Sequence, residues 1–205
     1  MSESAKSEPV LTVGHSNLEI GVFLGLLVAH SVHEVVDVRS QPYSRYVPHF
    51  NREQLQLALD EAGISYSFSG REFGARSPDP EAYDDDSRVR YSALRSTHGF
   101  ERRMLEVIDM SRAGRRQALL CTEADPADCH RAVLVAHAIH ESGAAVEHLR
   151  TDGSIENHLE FLDRISGPPD LFSDDGDRFA RALAAREKVI AYVNPDVATA
   201  KPRMY

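Results

Sequence analysis

Apolar positions along the chain switch between two spacings, and the switching predicts strands interleaved with helices. Leu11 to His15 (LTVGH) is a short apolar run of strand type. Glu34 to Arg39 (EVVDVR), Ile64 to Ser69, Gln117 to Thr122 (QALLCT) and Ala144 to Leu149 repeat it. Between these runs the period lengthens. Ile20, Phe23, Leu24, Leu27 and Val28 fall on one helical face behind a Ser16-to-Glu19 capping box. Leu55, Ala58, Leu59 and Ala62 form the next stripe, capped by Asn51 and ended by Gly63. Two helices are expected over Arg88 to Ser96 and Phe100 to Arg112, broken near Gly99. A third opens at Asp125-Pro126, with proline in its favoured first position, and runs to about Ser142.

This alternation predicts an α/β fold: an open, mostly parallel five-stranded sheet with helices on both faces, Rossmann-like, plus a helical C-terminal appendage. The expected boundaries are a disordered N-terminus over 1–10, the α/β domain over 11–158 and the extension over 159–205. Within the tail, one helix is expected around Ser154 to Ile165. The Pro168-Pro169 break follows, then a helix from about Asp177 to Tyr192 with the stripe Phe179, Leu183 and Ile190.

Composition narrows the class. The chain has 205 residues, 42 % hydrophobic and 27 % charged, so a single packed domain needs no staples. No apolar run approaches the roughly 18 residues of a membrane span, and MSESAKSEPV has no signal-peptide pattern. Two cysteines do not make a disulfide scaffold, so reduced thiols in the cytoplasm are expected. The net charge of −9 disfavours a non-specific nucleic-acid coat. It is segregated, however. Acid gathers at Asp79 to Asp86 and Asp170 to Asp177, while eight arginines lie between Arg88 and Arg116.

In open parallel sheets ligands bind at the carboxyl ends of the strands, and here those ends carry chemistry. Strand one ends in Gly14-His15-Ser16, strand two in Asp37-Val38-Arg39-Ser40, strand four in Cys121-Thr122-Glu123. The next turn adds Cys129-His130-Arg131 at a helix start, where an anion is favoured and a thiol is activated. Arg39 and Arg131 are candidate anion grips, with Asp37 orienting Arg39 and with Ser16 and His130 as further donors. Arg45 and Arg76 are candidate closures from loops. His15, Glu123 and Cys129 are the candidate catalytic groups. A phosphatase loop is excluded, since six residues after Cys121 and Cys129 stand Ala127 and Val135. Cys121, Cys129, His130 and His15 are acceptable metal ligands, with Cys121, Cys129 and His130 as the candidate set, although seven residues between the cysteines is not a usual knuckle spacing. No cofactor is required by the pattern, and a divalent metal is left open. The remaining histidines, His30, His33, His137, His140 and His148, have no evident partner and are assigned to surface or core.

TVGHSN, VVDVRSQPYSR, HFNREQL, GISY, EFGAR and LLCTEADPADCHR, in this order, resemble the domain-of-unknown-function 488 family from about Leu11 to His158. CHR after a C-x-E strand is the most telling of these motifs. The resemblance implies a compact α/β domain of bacteria and archaea and no established reaction. The chain departs from the family pattern at Ala75, where a second glycine is usual, in having no tryptophan, and in its tail beyond His158. The leading expectation is an enzyme that binds a small anionic, phosphate-bearing or nucleotide-like ligand. Two alternatives stand beside it: a non-catalytic nucleic-acid-binding module using the arginine stretch, and a Cys/His metal-dependent hydrolase. A homo-oligomer is left open.

Overall fold

A computed structural model of the chain describes residues 7–168 and 174–200. Its centre is a six-stranded sheet in the order β3-β2-β4-β1-β5-β6. The strands are β1 (Val10–Gly14), β2 (Glu34–Asp37), β3 (Ser65–Phe68), β4 (Gln117–Cys121), β5 (Val146–Leu149) and β6 (Ile155–Asn157). The first five are mutually parallel and β6 runs antiparallel to β5.

Strand alternation divides the core in two. Leu11, Val13, Val35, Ala118 and Leu120 face α1 (Ile20–Ala29) and α2 (Arg52–Glu61), where they meet Phe23, Leu27, Leu55 and Leu59. Val10, Val36, Leu119 and Cys121 face the other way. There they pack with α3 (Tyr91–Arg95), α4 (His98–Arg112), α5 (His137–Glu141), α6 (His158–Ser166) and α7 (Asp175–Ile190). A short α8 (Pro195–Ala200) follows.

Three expectations are corrected. The sixth strand lies inside a segment expected to be helical. An Arg150-to-Ser154 turn, with Gly153 at positive φ, sends β6 back along β5, and Asn157 then caps α6 in a capping box with Glu160. The ordered chain also starts before residue 11. Val10 begins β1, and Glu8 pairs with Arg116 and takes a backbone bond to Ser111. Finally, the helix expected from Asp125 to Ser142 is broken. Pro126–Asp128 is a single 3-10 turn, Cys129 is extended (φ −138°, ψ 136°), and Arg131–Ala136 is a π-helix leading into α5. Pro169 and Asp170 to Ser173 lie outside the described residues, as do residues 1–6 of the expected disordered N-terminus.

The histidines without evident partners turn out to have them. His30 Nε2 meets the Gly153 carbonyl and His33 Nδ1 accepts from the Arg116 backbone N–H. His148 and His137 join His158 in a hydrogen-bonded chain, on which the His140 ring packs. Thr12 Oγ1 lies 2.7 Å from His148 Nδ1, His148 Nε2 3.0 Å from His158 Nδ1, and His158 Nε2 3.3 Å from His137 Nδ1. His137 Nε2 faces Glu141 Oε1 at 3.6 Å, and a carboxylate only accepts, so each neutral ring donates from Nε2 and accepts at Nδ1. Burial holds all three rings neutral. It lowers His158 to about 3, with the His137 and His140 charges adding to it.

Because the folded state resists protonation, the unfolded chain takes up the proton first. Stability from His158 is complete above its ordinary pKa of 6.5 and is lost as pH falls toward 3. Between pH 6.5 and 5 the loss is about 2 kcal/mol, or roughly 4–8 °C in melting temperature. Thermal melts should show His158→Gln losing that much less than wild type over this interval; equal slopes would disprove the assignment.

Candidate metal centre

β4 lies between β2 and β1, so the carboxyl ends of these three strands are neighbours. The residues that follow each strand therefore converge on one edge, although they are distant along the chain. Close approach there requires a glycine. A Cβ on Gly14 would sit 1.8 Å from the Glu123 carbonyl oxygen and 3.0 Å from Arg131 Nη1.

The two arginines expected to grip an anion are held by the protein itself. Arg39 makes a two-pronged pair with Asp37 (Nε to Oδ1 2.9 Å, Nη2 to Oδ2 2.6 Å) and donates from Nη1 to the Phe50 carbonyl at 2.9 Å. Asp37 also accepts from Tyr66 Oη at 2.8 Å. His15 stacks on Phe50 and joins the same unit. Its Nδ1 meets the Ser16 carbonyl at 2.8 Å, and its Nε2 accepts from Arg39 Nη1 at 3.1 Å. Burial, then the Arg39 charge, lowers His15 to about 4. Both ring nitrogens are occupied, so His15 fastens β1 to β2 and the loop before α2 and has no free nitrogen for a base. Arg131 is 0 % exposed and donates to the carbonyls of Glu123 (2.5 Å) and Ala124 (3.1 Å). It clamps the loop after β4. Arg45 stacks on Tyr46, and Ser16 bonds Asn17, both outside the hollow described next.

What remains at the edge is sulfur, imidazole and carboxylate around a hollow of about 320 Å³. Cys121, Glu123 and His130 line it, and the Cys129 sulfur is buried behind them. Cys121 Sγ lies 3.2 Å from Glu123 Oε2 and 3.7 Å from His130 Nδ1, while Cys129 Sγ lies 3.9 Å from His130 Nδ1. The donor atoms of Cys121, Cys129 and His130 all fall within 4.8 Å of one another. His130 Nε2 meets the Val38 carbonyl at 3.1 Å and can only donate there, which turns the Nδ1 lone pair toward both sulfurs. The break at residues 126–130 serves this arrangement. The 3-10 turn and extended Cys129 bring the second sulfur back beside the first, and the π-helix starts directly after.

The two thiols are unlike. Burial, and then Cys129, raises Cys121 well above the usual thiol range. Burial works against ionising Cys129 as well, yet the Cys121 hydrogen bond, the Arg131 charge and His130 together hold it well below that range. A buried cation needs an anion. Arg131 has no carboxylate partner among the described residues, and its charge favours ionisation of Cys129, whose Sγ accepts from the Arg131 backbone N–H at 3.5 Å. His130 is raised in turn by Cys129 against the effect of its own burial. Glu123 is exposed as a residue but turns its carboxyl tip inward, and burial followed by the Cys129 charge raises it.

The profile of the domain of unknown function DUF488 matches residues 19–138, more than half of the chain. The protein belongs to the DUF488 family. The match covers α1 through the first turn of α5 and thus Arg39, Cys121, Glu123, Cys129 and His130, while β1, His15, β5, β6 and the tail lie outside it. No curated protein and no solved structure matches the chain.

In this DUF488 protein the hollow has walls that its motifs did not announce. Tyr192 and Ile190 reach it from the tail, and Tyr43 and Gln41 from the loop after β2. Arg76, expected as a closing arginine, does line it and stacks on Tyr192. Six of the eight arginines in the stretch of the nucleic-acid alternative have acidic neighbours. Arg88, Arg95, Arg102, Arg103, Arg112 and Arg116 each face a carboxylate. Cys121 and Cys129 are free thiols, and no described helix is long and apolar enough to cross a membrane.

The charge balance is open to a double-mutant cycle in chelator-treated protein. Cys129→Ser should cost about 3 kcal/mol in the wild type, because it strands the Arg131 charge. In an Arg131→Met background it should cost at least about 1 kcal/mol less. Additive denaturant-unfolding energies would exclude the pairing.

Proposed function

We propose that the protein is a metal-dependent hydrolase of small molecules, with Cys121, Cys129 and His130 as ligands of one zinc-type ion and Glu123 as the proton-transfer group. One observation carries this reading: the spacing of the three donors. Zinc bonds of about 2.3 Å to sulfur and 2.0–2.1 Å to nitrogen give tetrahedral edges of roughly 3.5–3.8 Å. The measured sulfur-to-nitrogen distances of 3.7 and 3.9 Å need only a small contraction. The bond from His130 Nε2 to the Val38 carbonyl is the outer contact that orients a metal-binding imidazole. Two sulfurs and one imidazole would leave a zinc-type ion one position open to water, and Cys121 and His130 border the hollow.

The chemistry then follows from the residues around that position. The ion supplies a water acidified enough to attack at neutral pH. Glu123 would take the proton that a water loses as its oxygen bonds to an electrophilic carbon of the substrate, and would return it to the departing nitrogen or oxygen. Water and substrate become two products, and the residues end as they began. A purely nucleophilic cysteine is supported less well. Burial disfavours ionising Cys121, the thiol that borders the hollow, and Cys129, whose ionisation its neighbours favour, is 1 % exposed. The small-anion reading keeps one support, the open guanidinium of Arg76 at the rim. A reducing cytoplasm keeps both sulfurs available to a metal.

Protein purified without a His-tag should carry one zinc per chain by elemental analysis. Cys121→Ser, Cys129→Ser and His130→Ala should each weaken binding by more than roughly a hundredfold, the upper end of the penalty for losing an outer partner alone. Zinc retained in all three variants, or absent from wild-type protein reconstituted under reducing conditions, would remove the reading.

A further inference from the structure

The rim of the hollow is built differently from its floor, and much of it comes from the tail. Tyr192 follows α7 and lies far beyond residue 138, the end of the matched domain. Its backbone is pinned. Its carbonyl accepts from the Val89 N–H at 2.9 Å, Val193 bridges Arg88, and the Asn194 N–H donates to the Ser87 carbonyl at 2.9 Å. The ring is therefore a fixed wall. The Arg76 guanidinium lies over it at 4.4 Å and is held by one bond, Nη1 to Gln41 Oε1 at 2.7 Å.

Arg76 has no carboxylate partner among the described residues, in a chain of net charge −9 where most arginines near acid are paired. A guanidinium kept open beside a hollow is a receptor for an anion. The tyrosine beneath it, and Tyr43 on the same hollow, held by its hydroxyl to Glu53 at 2.7 Å, offer π faces to a flat ring. Toward the floor, Thr122 and Glu123 present hydrogen-bonding groups to the edge of such a ring. The volume of about 320 Å³ suits one small ligand.

We propose that the C-terminal extension is the specificity element of this hollow, and that Tyr192 and Arg76 select a planar heterocycle carrying an anionic group, the chemistry of a nucleoside monophosphate. The inference rests on the hydrolase reading for what happens to that ligand, but not for its binding. Stacking on an aromatic side chain contributes about 1–3 kcal/mol per base, so the ring itself sets most of the preference.

The test is calorimetric titration of the full zinc-loaded chain with AMP and CMP, against adenosine, cytidine, ribose 5-phosphate and inorganic phosphate. The nucleotides should bind at least about tenfold tighter than ribose 5-phosphate, from the stacking term alone. Tyr192→Leu keeps the bulk but lacks a π face and should lose about that factor, while Tyr192→Phe retains it. Arg76→Gln should erase the advantage of nucleotide over nucleoside. Nucleotides that bind no tighter than ribose 5-phosphate, or a Tyr192→Leu protein equal to wild type, would overturn the proposal. Zinc content measured on the same samples separates the two readings. Nucleotide selectivity in wild-type protein that holds no zinc supports this inference and counts against the hydrolase alone. Zinc bound without nucleotide selectivity sinks this inference alone.

Discussion

The fully buried charge of Arg131 organises the carboxyl edge of the sheet. A guanidinium at 0 % exposure cannot rely on water, and the carbonyls of Glu123 and Ala124 take its two Nη groups, leaving Nε without a partner and the charge not neutralised. Its charge favours an ionised Cys129, whose sulfur comes within reach of the Arg131 backbone N–H because the chain leaves helical geometry at that residue. The same clamp fixes the loop that carries Glu123 and sets Cys121, at the end of β4, opposite His130. Gly14 is the matching requirement on β1, since any side chain there would collide with the clamped loop.

Around this core of charge the fold does two separable things. The Asp37–Arg39–His15 unit ties β1, β2 and the loop before α2 into a rigid corner, with Tyr66 of β3 bonded to its carboxylate. The histidine chain from Thr12 to Glu141 satisfies polar groups inside the opposite layer, where α5 and α6 cover β1 and β5. Both networks use residue types that elsewhere perform catalysis. Here their donors and acceptors are already matched within the protein, and although Arg39 also borders the hollow, the sulfur, imidazole and carboxylate cluster is the group of possible metal donors that faces it.

Much of this was legible in the residues. The period switch located five strands, because a strand buried on both faces reads as a continuous apolar run and a helix as a 3.6-residue stripe. β6 escaped because three residues, Ile155 to Asn157, are too short to show a period, and its pairing depends on the turn at Asp152-Gly153. Placing Cys121, Glu123, Cys129 and His130 at one edge followed from the parallel-sheet rule alone. The roles of Arg39, Arg131 and His15 did not follow. A guanidinium at a strand end binds either a ligand or its own protein, and only burial and bond partners distinguish the two. Tyr192 carried no sequence signal at all, since it lies more than fifty residues beyond the matched domain.

By itself, then, the sequence determined the layers and the chemical inventory, because periodicity and residue type are local properties. The tertiary structure decided which of those groups are free. Whether a nitrogen is already bonded, which sulfur carries the charge and whose ring closes the rim depend on residues tens to more than a hundred positions apart. Such contacts exist only once the strand order β3-β2-β4-β1-β5-β6 has brought them together.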